Sequence, residues 1–115
     1  VDNGRELIKG NTPTLILAVL RDAPLHGYAI AREIERRCNH ALQCKEGTLY
    51  PALRALERDQ LITGLWQAPS TGPVRRVYTL TEAGHQELVR RTQTWTDFVR
   101  SINDIIGGQP DGQPI

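Results

Sequence analysis

The side chains best suited to chemistry in this chain are cationic, and their placement points to phosphate contact, not to catalysis. Lys45, Thr48, Tyr50 and Arg54 fall together in KEGTLYPALR, and Arg75 and Arg76 stand side by side. The whole stretch from Gln60 to Thr81 around that pair contains no acidic residue. Twelve Arg against two Lys make up the basic inventory. Arg suits phosphate because its planar guanidinium donates two parallel hydrogen bonds. A coding bias of a GC-rich genome accounts for the Arg excess equally well, so the excess is permissive only. The net charge of +1 says nothing by itself; the distribution says more.

Other chemistries find little material. Cys38 and Cys44 have C-x5-C spacing with His40 between them, but His26 and His85 lie in unrelated segments, so no metal site is expected. Two cysteines are too few for a secreted disulfide framework. A redox role stays open, because Arg36, Arg37 and Lys45 are near enough in sequence to depress a thiol pKa; inert thiols are the default. No Gly-rich phosphate loop follows a strand, and no Ser-His-Asp set or convergent carboxylate pair is evident. Neither an enzyme nor a cofactor is expected. No apolar run approaches the roughly 20 residues that span a bilayer. The stretch VDNGRELIKG lacks the layout of a signal peptide, so the expected compartment is the cytoplasm.

The elements that must position these side chains read as follows. Thr12-Pro13 has the form of a helix start, a hydroxyl cap followed by Pro, and a buried helix follows to about Asp22. A second helix is expected from Leu25 or His26 to Cys38, with Ile30, Ala31, Ile34 and Cys38 on one face. A third spans about Gly47 to Asp59, with Leu49, Ala52, Leu53 and Leu56 inward and Pro51 placed in the first turn. Its opposite face carries Gly47, Tyr50, Pro51, Arg54 and Arg58. Leu61–Gln67 and Val74–Leu80 then form a hairpin about the turn residues APSTGP. Thr81 caps a fourth helix that reaches about Ile106, before Gly107-Gly108. The order is mainly α with a small β-hairpin, that of a winged helix-turn-helix plus a long C-terminal helix. Residues 1–80 are expected to form the DNA-binding unit, 81–106 the dimerisation helix and 107–115 a disordered tail.

Three segments, PLHGYAIAREIE, EGTLYPALRALE and RRVYTLTEAGHQEL, resemble the PadR family of transcription regulators in sequence and in spacing. The single C-terminal helix resembles the short subfamily. The resemblance implies a homodimeric repressor, with its third helix in the major groove and its hairpin tip on the neighbouring backbone or minor groove. Lys45, Thr48, Tyr50, Arg54, Arg75 and Arg76 are then the expected DNA contacts. Tyr50 could instead pack on the second helix, Arg54 could be merely solvated, and on a regular strand Arg75 and Arg76 point to opposite sides. Tyr28 fits a phosphate contact and a packing role equally. One departure is Gln60, where the family commonly has Gly; left-handed backbone there costs about 1 kcal/mol more without Gly.

On the fourth helix Leu88, Thr92, Trp95, Val99, Ile102 and Ile106 follow a heptad spacing, widened by Phe98 and Ile105. A helix of about 39 Å must outrun a preceding unit whose radius of gyration is about 12 Å. A twofold partner helix is the natural cover for that seam, and packing back onto the first helix is the alternative. Trp95 halfway along it either fills a dimer core or lines a cavity for a planar aromatic effector, as the resemblance to drug- and aromatic-sensing short relatives implies. The expected partners are thus double-stranded DNA with an inverted-repeat operator, a second copy and such an effector. The competing function is a winged-helix protein- or ligand-binding module without operator binding.

Overall fold

The computed structural model describes residues 5–107. The tail expected to be disordered lies, beyond Gly107, outside the described residues. The elements are α1 (Arg5–Asp22), β1 (Leu25–His26), α2 (Gly27–Arg37), α3 (Glu46–Arg58), β2 (Ile62–Gln67), β3 (Arg75–Leu80) and α4 (Glu82–Ile106). The three strands form one antiparallel sheet in the order β1-β3-β2, with His26 opposite Val77 and Trp66 opposite Arg76. Ile16, Leu17 and Leu20 of α1, Ile30 of α2, Leu49 and Leu53 of α3 and Ile62 of β2 are buried together. This is a winged helix-turn-helix with a long C-terminal helix.

Three local expectations are corrected. First, α1 does not start at Thr12-Pro13: it is already helical from Arg5, Pro13 lies inside it, and Thr12 is buried. A hydroxyl followed by Pro is a start signal only when nothing upstream helps the helix. Here the buried face that follows, Ile16 to Leu20, anchors it and offsets the hydrogen bond that Pro13 cannot donate. Second, Leu25 and His26 are a strand, not the first turn of α2. His26 is the N-cap of α2 with φ −82° and ψ 164°, an extended backbone that also serves to pair with β3. Third, α3 begins at Glu46, so Pro51 sits in its second turn, where it cannot donate to the carbonyl of Gly47.

The helix ends are built as the local chemistry requires. At the end of α3 the N–H of Leu61 donates to Leu56 O (2.9 Å) and that of Gln60 to Glu57 O (3.0 Å). This Schellman pattern forces Gln60 to φ 63°. Asn39 takes the equivalent position after α2, with φ 57°. The chain then turns from β3 into α4 at Thr81, whose Oγ1 accepts from the N–H of Gly84 (3.0 Å). Gly84 is pressed onto the end of α3: a Cβ there would come within 2.1 Å of the Leu61 carbonyl oxygen. α4 is therefore fixed at its start and leaves the globular part after Leu88, its last buried apolar residue. It stops as expected at Ile106, with Gly107 left-handed at φ 79°.

Candidate nucleic-acid interface

The exposed face of α3 carries Gly47, Tyr50, Pro51, Arg54 and Arg58, with Lys45 at the N-cap and Thr48 half-buried beside it. The N-cap Lys45 makes no side-chain cap, and among the described residues the N–H groups of Glu46 and Gly47 have no side-chain acceptor, which suits an anion there. The hydroxyl end of the Tyr50 side chain packs against Gly27 at the start of α2. A Cβ on Gly27 would meet the Tyr50 hydroxyl at 2.8 Å and Cε1 at 2.9 Å. Tyr50 thus packs on α2 through its hydroxyl end, the second of its two readings, and the residue as a whole stays 37% exposed. Arg54, one turn along, is exposed and has no ion-pair partner among the described residues. Arg58 is partly held by Asp59, Nε to Oδ1 at 3.3 Å.

The two wing arginines do diverge. Arg76 shares the inner side of β3 with Tyr78 and Leu80, which are buried. Its guanidinium donates to the Glu57 carboxylate on α3 and lies 5.4 Å from the centroid of the Trp66 ring. It also crosses Gly64, whose missing Cβ gives Nε room to pass. Hydrogen bonding to Glu57 holds it firmly charged. Arg76 thus ties the wing to the recognition helix. Arg75 points the other way, is exposed, and has no carboxylate partner among the described residues. Its charge, after burial, lowers the pKa of His26 across the sheet.

Lys45, Tyr50 and Arg54 accordingly lie on or beside the exposed face of α3, Arg75 is exposed on the outer side of β3, and Arg76 is turned inward. Sequence reasoning undervalued the start of α2. Here His26 stacks on Tyr28 (centroids 6.4 Å, 16° between planes), and the guanidinium of Arg32 sits 5.6 Å from the Tyr28 ring. The available signal was the pairing of LH with β3, which is too short to show a strand period.

Among the described residues no three His, Cys, Asp or Glu converge to hold a metal. Arg36 and Arg37, the supposed activators of a thiol, are turned to Glu33 instead (2.7 to 2.8 Å). Burial, and then the nearby Glu35, push the Cys44 thiol up. Along α4 the seam side chains Trp95 (43% exposed), Ile102 and Ile106 lie open, and Val99 is half-buried. Phe98 packs on Trp95 at a centroid distance of 5.9 Å and a tilt of 41°. No helix among the described residues is long and apolar enough to cross a membrane.

Residues 16–90 match the model of the transcriptional regulator PadR-like family. A transcriptional regulator of Mycobacterium tuberculosis, Rv3488, is 32% identical over 105 residues, which covers 91% of this chain and 92% of that protein. A transcriptional regulator of Clostridium thermocellum has a similar structure, with TM-score 0.79, 26% identity, and coverage of 86% of this chain and 96% of the other. PadR of Bacillus subtilis, solved in complex with operator DNA, matches with TM-score 0.64 and 30% identity over 70% of this chain and 46% of that one.

Proposed function

The chain belongs to the transcriptional regulator PadR-like family, and from that premise we propose that it is a repressor that acts as a homodimer on an inverted-repeat operator. It is a DNA-binding transcriptional regulator and not an enzyme. The observation that carries the finer reading is the set Lys45, Tyr50 and Arg54 around the open N-terminal half of α3, with Arg75 at the wing. In this reading Arg54 contacts a guanine edge or a phosphate, and Lys45, Thr48 and Tyr50 contact the backbone. Arg75 meets backbone from the wing, and Arg76 contributes by holding the wing against Glu57.

Twofold protein symmetry calls for symmetric DNA, with half-sites about 10 bp apart or a small multiple of that. Leu88, Trp95, Val99, Ile102 and Ile106 supply the seam between copies, and Trp95 with Phe98 borders the place for a planar aromatic effector that releases the DNA. Such a protein works in the cytoplasm, where its operator is. The test is fluorescence anisotropy with the duplex upstream of its own gene against an unrelated duplex. Tight binding to the first alone, with a footprint of two symmetric half-sites, is expected. Equal, weak binding to both would reduce the protein to a winged-helix module without operator recognition.

A further inference from the structure

The wing extends past its own core. From Thr63 to Val77 no residue is buried, and β1 reaches along β3 only as far as Val77. Beyond that row the hairpin is a two-stranded ribbon, a unit that is marginally stable by itself in water. Within this stretch, among the described residues, Arg76 alone makes a side-chain hydrogen bond. Its partner is Glu57, in the last turn of α3.

The pair is prepared from both sides. A carboxylate in the last turn of a helix meets the negative end of the helix dipole, so Glu57 is poorly placed unless a cation answers it. Arg76 does so from the inner side of the sheet. Trp66 stands opposite it in the ladder, and Gly64 is diagonal to it. The side chain crosses Gly64, where a Cβ would come within 2.5 Å of Nε, and the guanidinium lies 5.4 Å from the centroid of the Trp66 ring. The missing Cβ on β2 is what lets this guanidinium leave the wing and reach α3. Tyr78 is buried on the same side, and burial, then the Glu57 charge, push its hydroxyl up. The Arg76 fork therefore faces a carboxylate and an indole, with no free edge turned outward for a phosphate.

Resting on the DNA-binding reading above, we propose that Glu57 and Arg76 are positioning residues: neither touches DNA, and their ion pair holds the wing at the angle to α3 at which one duplex meets both. A wing held before binding need not be ordered during binding, and the difference appears as affinity. The gain arises only where α3 and the wing engage together. It therefore favours the operator over DNA held by charge alone.

The experiment compares wild type, Glu57→Ala, Arg76→Gln, the double variant and Gly64→Ala. Each is titrated by anisotropy with the upstream duplex and with a mixed-sequence duplex, from about 50 to 200 mM salt, and thermal melts check the fold. Glu57→Ala deletes a negative charge, so by charge alone it would bind DNA more tightly. The positioning role predicts the reverse, a several-fold loss on the upstream duplex and none on the mixed one. Arg76→Gln is expected to lose a similar factor with little change in salt slope, and the double variant to be no weaker than either single one. Gly64→Ala changes no charge, but its methyl displaces Arg76, and it follows in the same direction. Folded Glu57→Ala or Gly64→Ala that binds the upstream duplex at least as tightly as wild type overturns the proposal. So do an equal loss on both duplexes, single effects that add, or an Arg76→Gln slope lower by about one, the mark of a phosphate contact. Wild-type protein that does not prefer the upstream duplex overturns the positioning role together with the operator-binding reading.

Discussion

Gln60 is a residue whose cost is visible from the sequence and whose cause is visible only in the structure. Its φ of 63° is imposed by the hydrogen bonds that close α3 on Leu56 and Glu57. A Cβ in left-handed backbone costs about 1 kcal/mol. Gln60→Gly is therefore expected to raise the unfolding free energy by about 1 kcal/mol, seen as a higher urea midpoint at an unchanged m-value. A lower midpoint would mean that the Gln side chain makes a compensating contact. Arg76 teaches the opposite lesson. Strand alternation correctly separates it from Arg75, but no local pattern says that Glu57, on another element, will take its guanidinium. Likewise Gly27 has no signal in its own neighbourhood, since the ring that forbids its Cβ belongs to Tyr50. Residue types are legible; which charges remain free is a tertiary fact.

At the scale of elements, legibility followed the strength of the local chemistry. Both ends of α4 are readable because Thr81 has the cap chemistry and Gly107 the stop chemistry, and both are used. Thr81 Oγ1 also lies 2.8 Å from the Gln60 carbonyl, so one hydroxyl joins α4 to the end of α3. Thr81→Ala is expected to cost about 1–2 kcal/mol, and Thr81→Ser to recover most of it, by chemical denaturation. Equal stability of both variants with wild type would dismiss the cap. The start of α1 misled because a local start signal was overridden by burial. β1 escaped because two residues carry no period.

Further along α4, the Glu87 carboxylate accepts from Arg90 and from Arg91, the latter at 2.6 Å. These bonds hold it well below the usual range, at about 2. A depressed folded value stabilises the protein above the unfolded value of about 4.3 and loses that contribution as pH falls toward about 2. Urea midpoints of wild type and Glu87→Gln should thus differ at pH 6 and converge between about pH 4 and pH 2. A gap that persists at the acid end would show that packing, not charge, makes the difference.

At the scale of the whole molecule, α4 decides the shape. Its 25 residues rise about 37 Å, and the molecule measures 58 × 31 × 21 Å. α1 does meet α4, but only Gly84 and Leu88 of this helix are buried. Phe98, Ile105 and Ile106 are more than half exposed, and burying such a side chain fully is worth about 1.5–3 kcal/mol. A second copy covers this face with the same residues, which is the homodimer we propose. It also frames the final prediction. Trp95 and Phe98 pack on each other at a tilt and leave the indole 43% exposed, so a symmetry mate would face an uneven aromatic surface. A flat aromatic molecule between the two indoles would wedge the α4 helices and change the spacing of the two α3 helices, so DNA affinity must fall by linkage. The chain has two Trp, and the other, Trp66, sits on the wing under Arg76. Each therefore reports a different place. Titrating Trp66→Phe with planar aromatic compounds is expected to quench Trp95 saturably, whereas Trp95→Phe shows no such saturation. By reciprocity, the operator should weaken the ligand by the same factor as the ligand weakens the operator. Saturable quenching that survives Trp95→Phe removes Trp95 from the effector site, and ligands that bind there without lowering DNA affinity remove the site from regulation.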